Sequence, residues 1–173
     1  MTIRLALDAI RKQLLGAKLS NEDCNLLITH FSSALLPGWF INMLSDYPLI
    51  GVNLTLSEAL DESSFGVDMV WLSPKQMVEE ALETYPGIIA IQLGYLPIGS
   101  CLFGSGDPYF LKMTVDNDNP PFVRIPHDIL DENDKIDDSK IEPVCFSLSS
   151  FFELSQVIPN RIGQTTRSDS SSR

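Results

Sequence analysis

With 173 residues and 44% hydrophobic side chains, the chain is long and apolar enough for one domain with a sizeable core. Its formal net charge of −11 weighs against nucleic acid as a partner, because phosphates are held by Lys and Arg. An acidic surface of this kind serves solubility, and it equally suits a basic partner.

At the N-terminus, Asp8 and Arg11 interrupt the first apolar stretch, so no secretory leader is read there and a cytoplasmic location is expected. Residues 3–15 instead place Ile3, Leu7, Ile10 and Leu14 on one helical face, with Thr2 as cap and Gly16 just past the end. Ser20-Asn21-Glu22-Asp23 is a capping-box signal, behind which Cys24, Leu27, Ile28, Phe31, Ala34 and Leu35 keep the helical period. Pro37 stops that helix and starts another, with Trp39, Phe40, Met43 and Leu44 as its buried side and Tyr47-Pro48 as its end. Val52, Leu54 and Leu56 alternate with polar residues as in a strand, Ser57 to Ser64 is a polar loop, and Val67 to Leu72 is strand-like again. Ser73-Pro74-Lys75-Gln76 announces a helix by its cap and its proline, with Met77, Val78, Ala81, Leu82 and Tyr85 as the apolar face.

The apolar run from Gly87 to Met113 follows. Gly94, Pro97 and Gly99 cut it, which excludes a membrane-spanning helix and predicts buried strands over Ile88–Leu93 and Ile98–Phe103. A third strand, Pro108 to Val115, is expected after a tight hairpin at Gly104-Ser105-Gly106-Asp107. Asp116 to Pro121 is a turn by composition, and Phe122 to Ile125 returns as a strand. Residues 128–142 form an acidic, solvated loop, and Glu142 to Phe146 is strand-like. Ser150-Phe151-Phe152-Glu153 reads as a second capping box opening a short helix. From about Gln156 periodicity is lost, so residues 1–157 are expected as one domain and residues 158–173 as a polar, disordered tail. The predicted fold is α+β, with a mainly antiparallel sheet of five to six strands packed against several helices.

Chemistry-bearing motifs are sparse. His30 sits in an amphipathic helix and reads as structural. His127-Asp128 opens the acidic loop, but one His beside a carboxylate is no metal site, which needs three or four converging ligands. Gly104-Ser105-Gly106-Asp107 lacks the third glycine of a dinucleotide fingerprint, and Asp116 and Asp118 begin a calcium-loop pattern that Pro120 breaks. Cys24, Cys101 and Cys145 are widely spaced in apolar contexts and are expected as reduced core thiols. These readings predict no catalytic residue, no cofactor and no metal.

The order of motifs carries more. Leu36-Pro37-Gly38-Trp39-Phe40 through Tyr47-Pro48-Leu49-Ile50-Gly51, then Trp71-Leu72-Ser73-Pro74, then Ile88 to Gly94 with Gly104-Ser105-Gly106-Asp107-Pro108-Tyr109-Phe110-Leu111, resembles the SUKH superfamily in sequence order. Pro121 to Asp128 and Pro143 to Glu153 are similar to its late strand and closing helix. That superfamily includes fungal cell-wall-synthesis regulators and bacterial toxin-immunity proteins. The chain departs from its pattern at Ile50, where Asn is usual, and at Lys112, where Asp is usual. The resemblance implies structural roles for Trp39, Gly104, Gly106 and Asp107 and implies no catalytic residue.

It also implies a function: a non-catalytic module that neutralises a cognate toxin by stoichiometric masking. A basic toxin domain such as a nuclease would be the partner, and the acidic loop, with Asp131, Glu132, Asp134, Asp137 and Asp138, is the candidate binding element. Neither nucleic acid nor membrane is expected as a partner. The alternative is a regulatory scaffold in a larger complex, and a small hydrolase would have His127, Asp128 and Asp107 to draw on.

Overall fold

The computed structural model of the chain describes residues 1–103, 106–129 and 135–159. Among them are six α-helices and seven strands in one α+β domain: α1 (Ile3–Ile10), α2 (Asn21–His30), α3 (Gly38–Asp46), β1 (Asn53–Leu56), β2 (Val67–Trp71), α4 (Pro74–Glu83), α5 (Gly87–Ala90), β3 (Tyr95–Cys101), β4 (Tyr109–Lys112), β5 (Phe122–Arg124), β6 (Glu142–Cys145), α6 (Leu148–Leu154) and β7 (Gln156–Ile158). The strands form one curled antiparallel sheet in the order β6-β5-β4-β3-β2-β1-β7. Strands β1 to β6 follow one another as neighbours, and the last strand returns to the far edge beside β1.

Local signals set most helix ends. The Thr2 hydroxyl accepts from the Leu5 N–H, and that of Ser20 from the Asp23 N–H. Ser73 and Gln76 close a reciprocal capping box, with Pro74 at the first helical position. Each satisfies a backbone donor that the helix itself leaves open, worth typically ~1 kcal/mol.

Side-chain alternation places the core. Leu54 and Leu56 of β1, Met69 and Trp71 of β2, and Tyr109 and Leu111 of β4 join one large cluster, closed by Leu7, Leu27, Phe40, Met77, Phe151 and Phe152 from the helices. Between them, Phe110 of β4 points the other way, with Tyr95, Val123, Ile125, Ile129 and Ala90 in a second cluster. The sheet is therefore buried on both faces across β3 to β5. Phe110 and Phe122 are fully buried, each worth about 1.5–3 kcal/mol against exposure.

Several expectations need correction. Residues 88–93 do not form a strand: α5 and a following 3-10 turn, Ile91–Leu93, occupy the segment, and β3 begins only at Tyr95. Gly87 and Ala90 are both buried, and their spacing of three puts two small residues on one face of the turn. That face packs closely on α4, so docking overrides the β preference of Ile88, Ile89 and Ile91. Gly94, at φ +85°, ends the turn in the left-handed region. Pro97 is tolerated inside β3 because the pairing with β4 is irregular between Pro97 and Gly99. The connection from β3 to β4 spans 102–108, longer than the tight hairpin expected.

Helix α2 ends at His30, so Ala34 and Leu35 lie beyond it, and Ile28 is exposed. The cap of α6 is Ser147, whose hydroxyl accepts from the Ser150 N–H, three residues before the position expected. Leu82 and Tyr85 are exposed rather than part of the apolar face of α4. The segment after Ser155 is a strand: Asn53 pairs with Ile158 and Thr55 with Gln156. Pairing thus runs across the expected domain boundary at 157, and the Ser-rich stretch from Thr165 to Arg173 lies outside the described residues.

Candidate functional site

Arg124 is the residue from which the site is built. It ends β5 with only 6% of its surface exposed, and a buried guanidinium must have its N–H groups matched. Its Nε donates to Glu142 Oε2 on the neighbouring strand β6. One terminal nitrogen donates to the Gly66 carbonyl at 3.0 Å and, at 3.5 Å, to the Tyr109 hydroxyl. The other donates to Ser63 Oγ at 2.9 Å. Ser63 in turn donates through its backbone N–H and its hydroxyl to Asp61, which is itself buried. The loop read as merely polar is therefore pinned to the sheet by Arg124, and Ser64 and Gly66 make its turn at positive φ.

The Phe65 ring covers this arginine, 5.2 Å from the guanidinium, with Tyr109 on another side at 5.8 Å. Burial pulls the Arg124 pKa down, but Glu142 and Tyr109 raise it by more, so the group stays cationic. Burial first, and then the neighbouring Cys101, push the Tyr109 phenol well above its ordinary range, against the pull of Arg124. Tyr109 therefore stays a neutral donor and acceptor. Cys101 donates its thiol proton to the Phe103 carbonyl oxygen.

Above Arg124 opens a cavity of about 360 Å³, lined by Phe65, Gly66, Asp68, Cys101, Phe103, Asp107, Tyr109, Arg124 and Glu142. Two features set it apart from a core void. Phe65 and Phe103 are 67% and 71% exposed, although each is a large apolar ring. The charged lining holds three carboxylates, Asp68, Asp107 and Glu142, against one guanidinium that is already hydrogen-bonded.

The residues anticipated from sequence are dispersed. Asp107 lines this cavity, and its Oδ1 accepts from both the backbone N–H of His127 at 3.0 Å and the ring Nδ1 at 2.8 Å. Because a carboxylate only accepts, Nδ1 carries the proton. The pair staples the turn after β3 to the segment after β5, across 20 residues of sequence. Gly106, beside it, has φ +76°, the left-handed conformation that a glycine adopts in a turn without strain. Gly104 lies outside the described residues.

Trp39 is part-buried, edge-on to Phe40 at 5.7 Å, and borders a separate cavity of about 420 Å³ with Arg4, Asn42 and Asp118. Of the acidic loop, Asp131, Glu132 and Asp134 lie outside the described residues. Asp137 accepts from the backbone N–H and the hydroxyl of Ser139, a local turn bond. Asp138 opens a 3-10 turn, Asp138–Lys140. Lys112, where the resembled pattern has Asp, donates from Nζ to the Leu93 carbonyl and lies 4.1 Å over the Tyr95 ring. It thereby puts positive charge at the carbonyl end of the turn that follows α5.

Arg124, Glu142, Phe65 and Phe103 were not singled out from sequence. Arg124 carried the one available signal, a charge inside the otherwise apolar strand Phe122 to Ile125. The Cys145 thiol is pushed up to about 12, by burial first and then by Glu62 and Asp61, so it is unreactive at neutral pH. Among the described residues no group of three or more His, Cys, Asp or Glu side chains could hold a metal ion, and no helix is long and apolar enough to cross a membrane. No protein-family model, curated protein or solved structure matches the chain.

Proposed function

We propose that this chain is a non-catalytic protein-binding module that neutralises a basic partner by masking it, the role that a toxin-immunity protein plays. One observation carries the reading: Phe65 and Phe103 stand exposed at the rim of a cavity lined by three carboxylates and one guanidinium. Exposed aromatic rings over a firmly hydrogen-bonded base are how interfaces place their anchors, because such rings bury large areas at little entropic cost. The carboxylates around them favour a cationic surface, and the net charge of −11 speeds its approach. Masking of this kind is stoichiometric and involves no turnover.

The test starts at the neighbouring gene, where a toxin with a basic C-terminal domain is expected, and proceeds by co-expression of that domain with this chain. Wild type is expected to restore growth, and the pair Phe65→Ser with Phe103→Ser to abolish the rescue while the protein stays folded. Neutralising Asp131, Glu132, Asp134, Asp137 and Asp138 together is expected to slow association and flatten its salt dependence, with dissociation unchanged. Rescue by the double serine variant at wild-type level would remove the aromatic rim from the interface. Absence of any rescue by wild type would turn attention to the scaffold reading.

A further inference from the structure

We infer that the cavity above Arg124 is a seat for an arginine side chain of the partner. This rests on the masking role proposed above and gives it a chemical specificity.

The first argument concerns the sign of charge the cavity accepts. An arginine in a pocket ordinarily suggests an anionic ligand. Here Arg124 has contacts from Nε and from both terminal nitrogens, to Glu142, Gly66, Tyr109 and Ser63. A guanidinium has five N–H donors, so little is left for an incoming phosphate or carboxylate. Its side chain is only 8% exposed, beneath Phe65, and an anion would have to displace these bonds to reach it.

The second argument concerns the acceptors. Glu142 engages Arg124 through Oε2, yet its side chain is 26% exposed, so the carboxylate reaches the cavity edge. Asp68 and Asp107 line the same space, and the Phe103 carbonyl lies beside it, receiving the Cys101 thiol proton. With Asp107 Oδ1 held by His127, the acceptors that complement a guanidinium are Asp68 and the second oxygen of Glu142.

The third argument selects arginine over lysine. Phe65 and Phe103 both line this cavity, and both are largely exposed. A guanidinium is planar, is more weakly hydrated than an ammonium, stacks on aromatic faces and bonds carboxylates through two parallel N–H groups. At about 360 Å³ the cavity is at the small end of ligand sites, suited to one side chain rather than a cofactor.

The probe is N-acetyl-arginine amide, titrated into the full isotopically labelled chain and followed by NMR. N-acetyl-lysine amide, the neutral isostere N-acetyl-citrulline amide and inorganic phosphate are run in parallel. Saturable shifts clustered at Gly66, Phe103, Arg124 and Glu142 are expected for arginine, with millimolar affinity, several-fold weaker binding of lysine and none of citrulline. Phe103→Ser and, separately, Asp68→Asn are expected to weaken arginine at least fivefold without disturbing the remaining spectrum, since neither residue supports Arg124. Shifts spread over the whole acidic surface, equal response to lysine, or indifference to Phe103→Ser would overturn the seat. So would a response to phosphate at Arg124, which would make it an anion site. The co-expression test is independent: rescue without an arginine response leaves the masking role and removes the seat, and the converse removes the role and keeps the seat.

Discussion

A Cβ added to Gly87, just before β3, would stand 1.8 Å from the Glu80 carbonyl oxygen, whereas one added to Gly106, after β3, would meet no atom within 4 Å. The two glycines flank the same apolar run and serve opposite ends of the same strand. Gly87 lets α5 press against the backbone of α4, and with it Ala90 is drawn wholly out of water. Gly106 instead supplies a positive φ in open space, beside Asp107 and the exposed Phe103. One end is closed by packing and the other is held open by turn geometry and hydrogen bonds. Apolar residues left uncovered at the open end are therefore a property of the design of that end and not of its composition.

Substituting these glycines tests the contrast most sharply. Gly87→Ala drives a methyl group into main chain, and overpacking of that kind is expected to cost about 3 kcal/mol. For a domain of this size that is roughly 6–12 °C of melting temperature, read by circular dichroism. An unchanged melting temperature would show that α5 does not rest on α4.

Gly106→Val is expected to cost less, ~1–3 kcal/mol, because the strain is confined to one backbone position. Gly106→Asn should recover much of the loss, since Asn tolerates the left-handed region, and Asp128→Ala on the exposed surface should change little. If Val and Asn destabilise equally, the left-handed turn is not the reason for glycine there.

The smallest effect concerns Glu80, which lies on the closed side with Oε1 buried and without a hydrogen-bond partner. Burial pushes its carboxyl above the ordinary range, while His127 pulls it partly back. A carboxyl whose folded pKa exceeds its unfolded one opposes folding once ionised. The penalty is absent below the unfolded pKa and complete above the raised one. Glu80→Gln should therefore stabilise the protein near neutral pH, by about 1 kcal/mol or less, with the gain closing toward pH ~4. A gain that persists in acid would assign the effect to packing instead.

The open end also shows what could be read from residues alone. Gly106 and Asp107 were legible there because a turn needs a positive φ and a side-chain acceptor within a few residues. Arg124, Glu142 and Phe65 were not, because they converge from β5, β6 and the loop before β2. The bond from Arg124 to Gly66 spans 58 residues, and no local pattern encodes it. At the closed end the error ran the other way. Ile88, Ile89 and Ile91 favour a strand by their own branching, and the spacing of Gly87 and Ala90 was the only sign of a docked helical turn.

By itself the sequence determined the features that close within one turn of chain: the caps at Thr2, Ser20 and Ser73, the start of α3 after Pro37, and the alternation of β1 and β2. These are set by hydrogen bonds and periodicities between residues only a few positions apart. Tertiary structure alone decided that Gln156–Ile158 becomes a strand beside β1, that Gly87–Leu93 becomes helical, and that Arg124 is buried while Phe65 and Phe103 are not. Those outcomes depend on which distant surfaces meet, and pairing and burial free energies outweigh local preferences of a few tenths of a kcal/mol per residue.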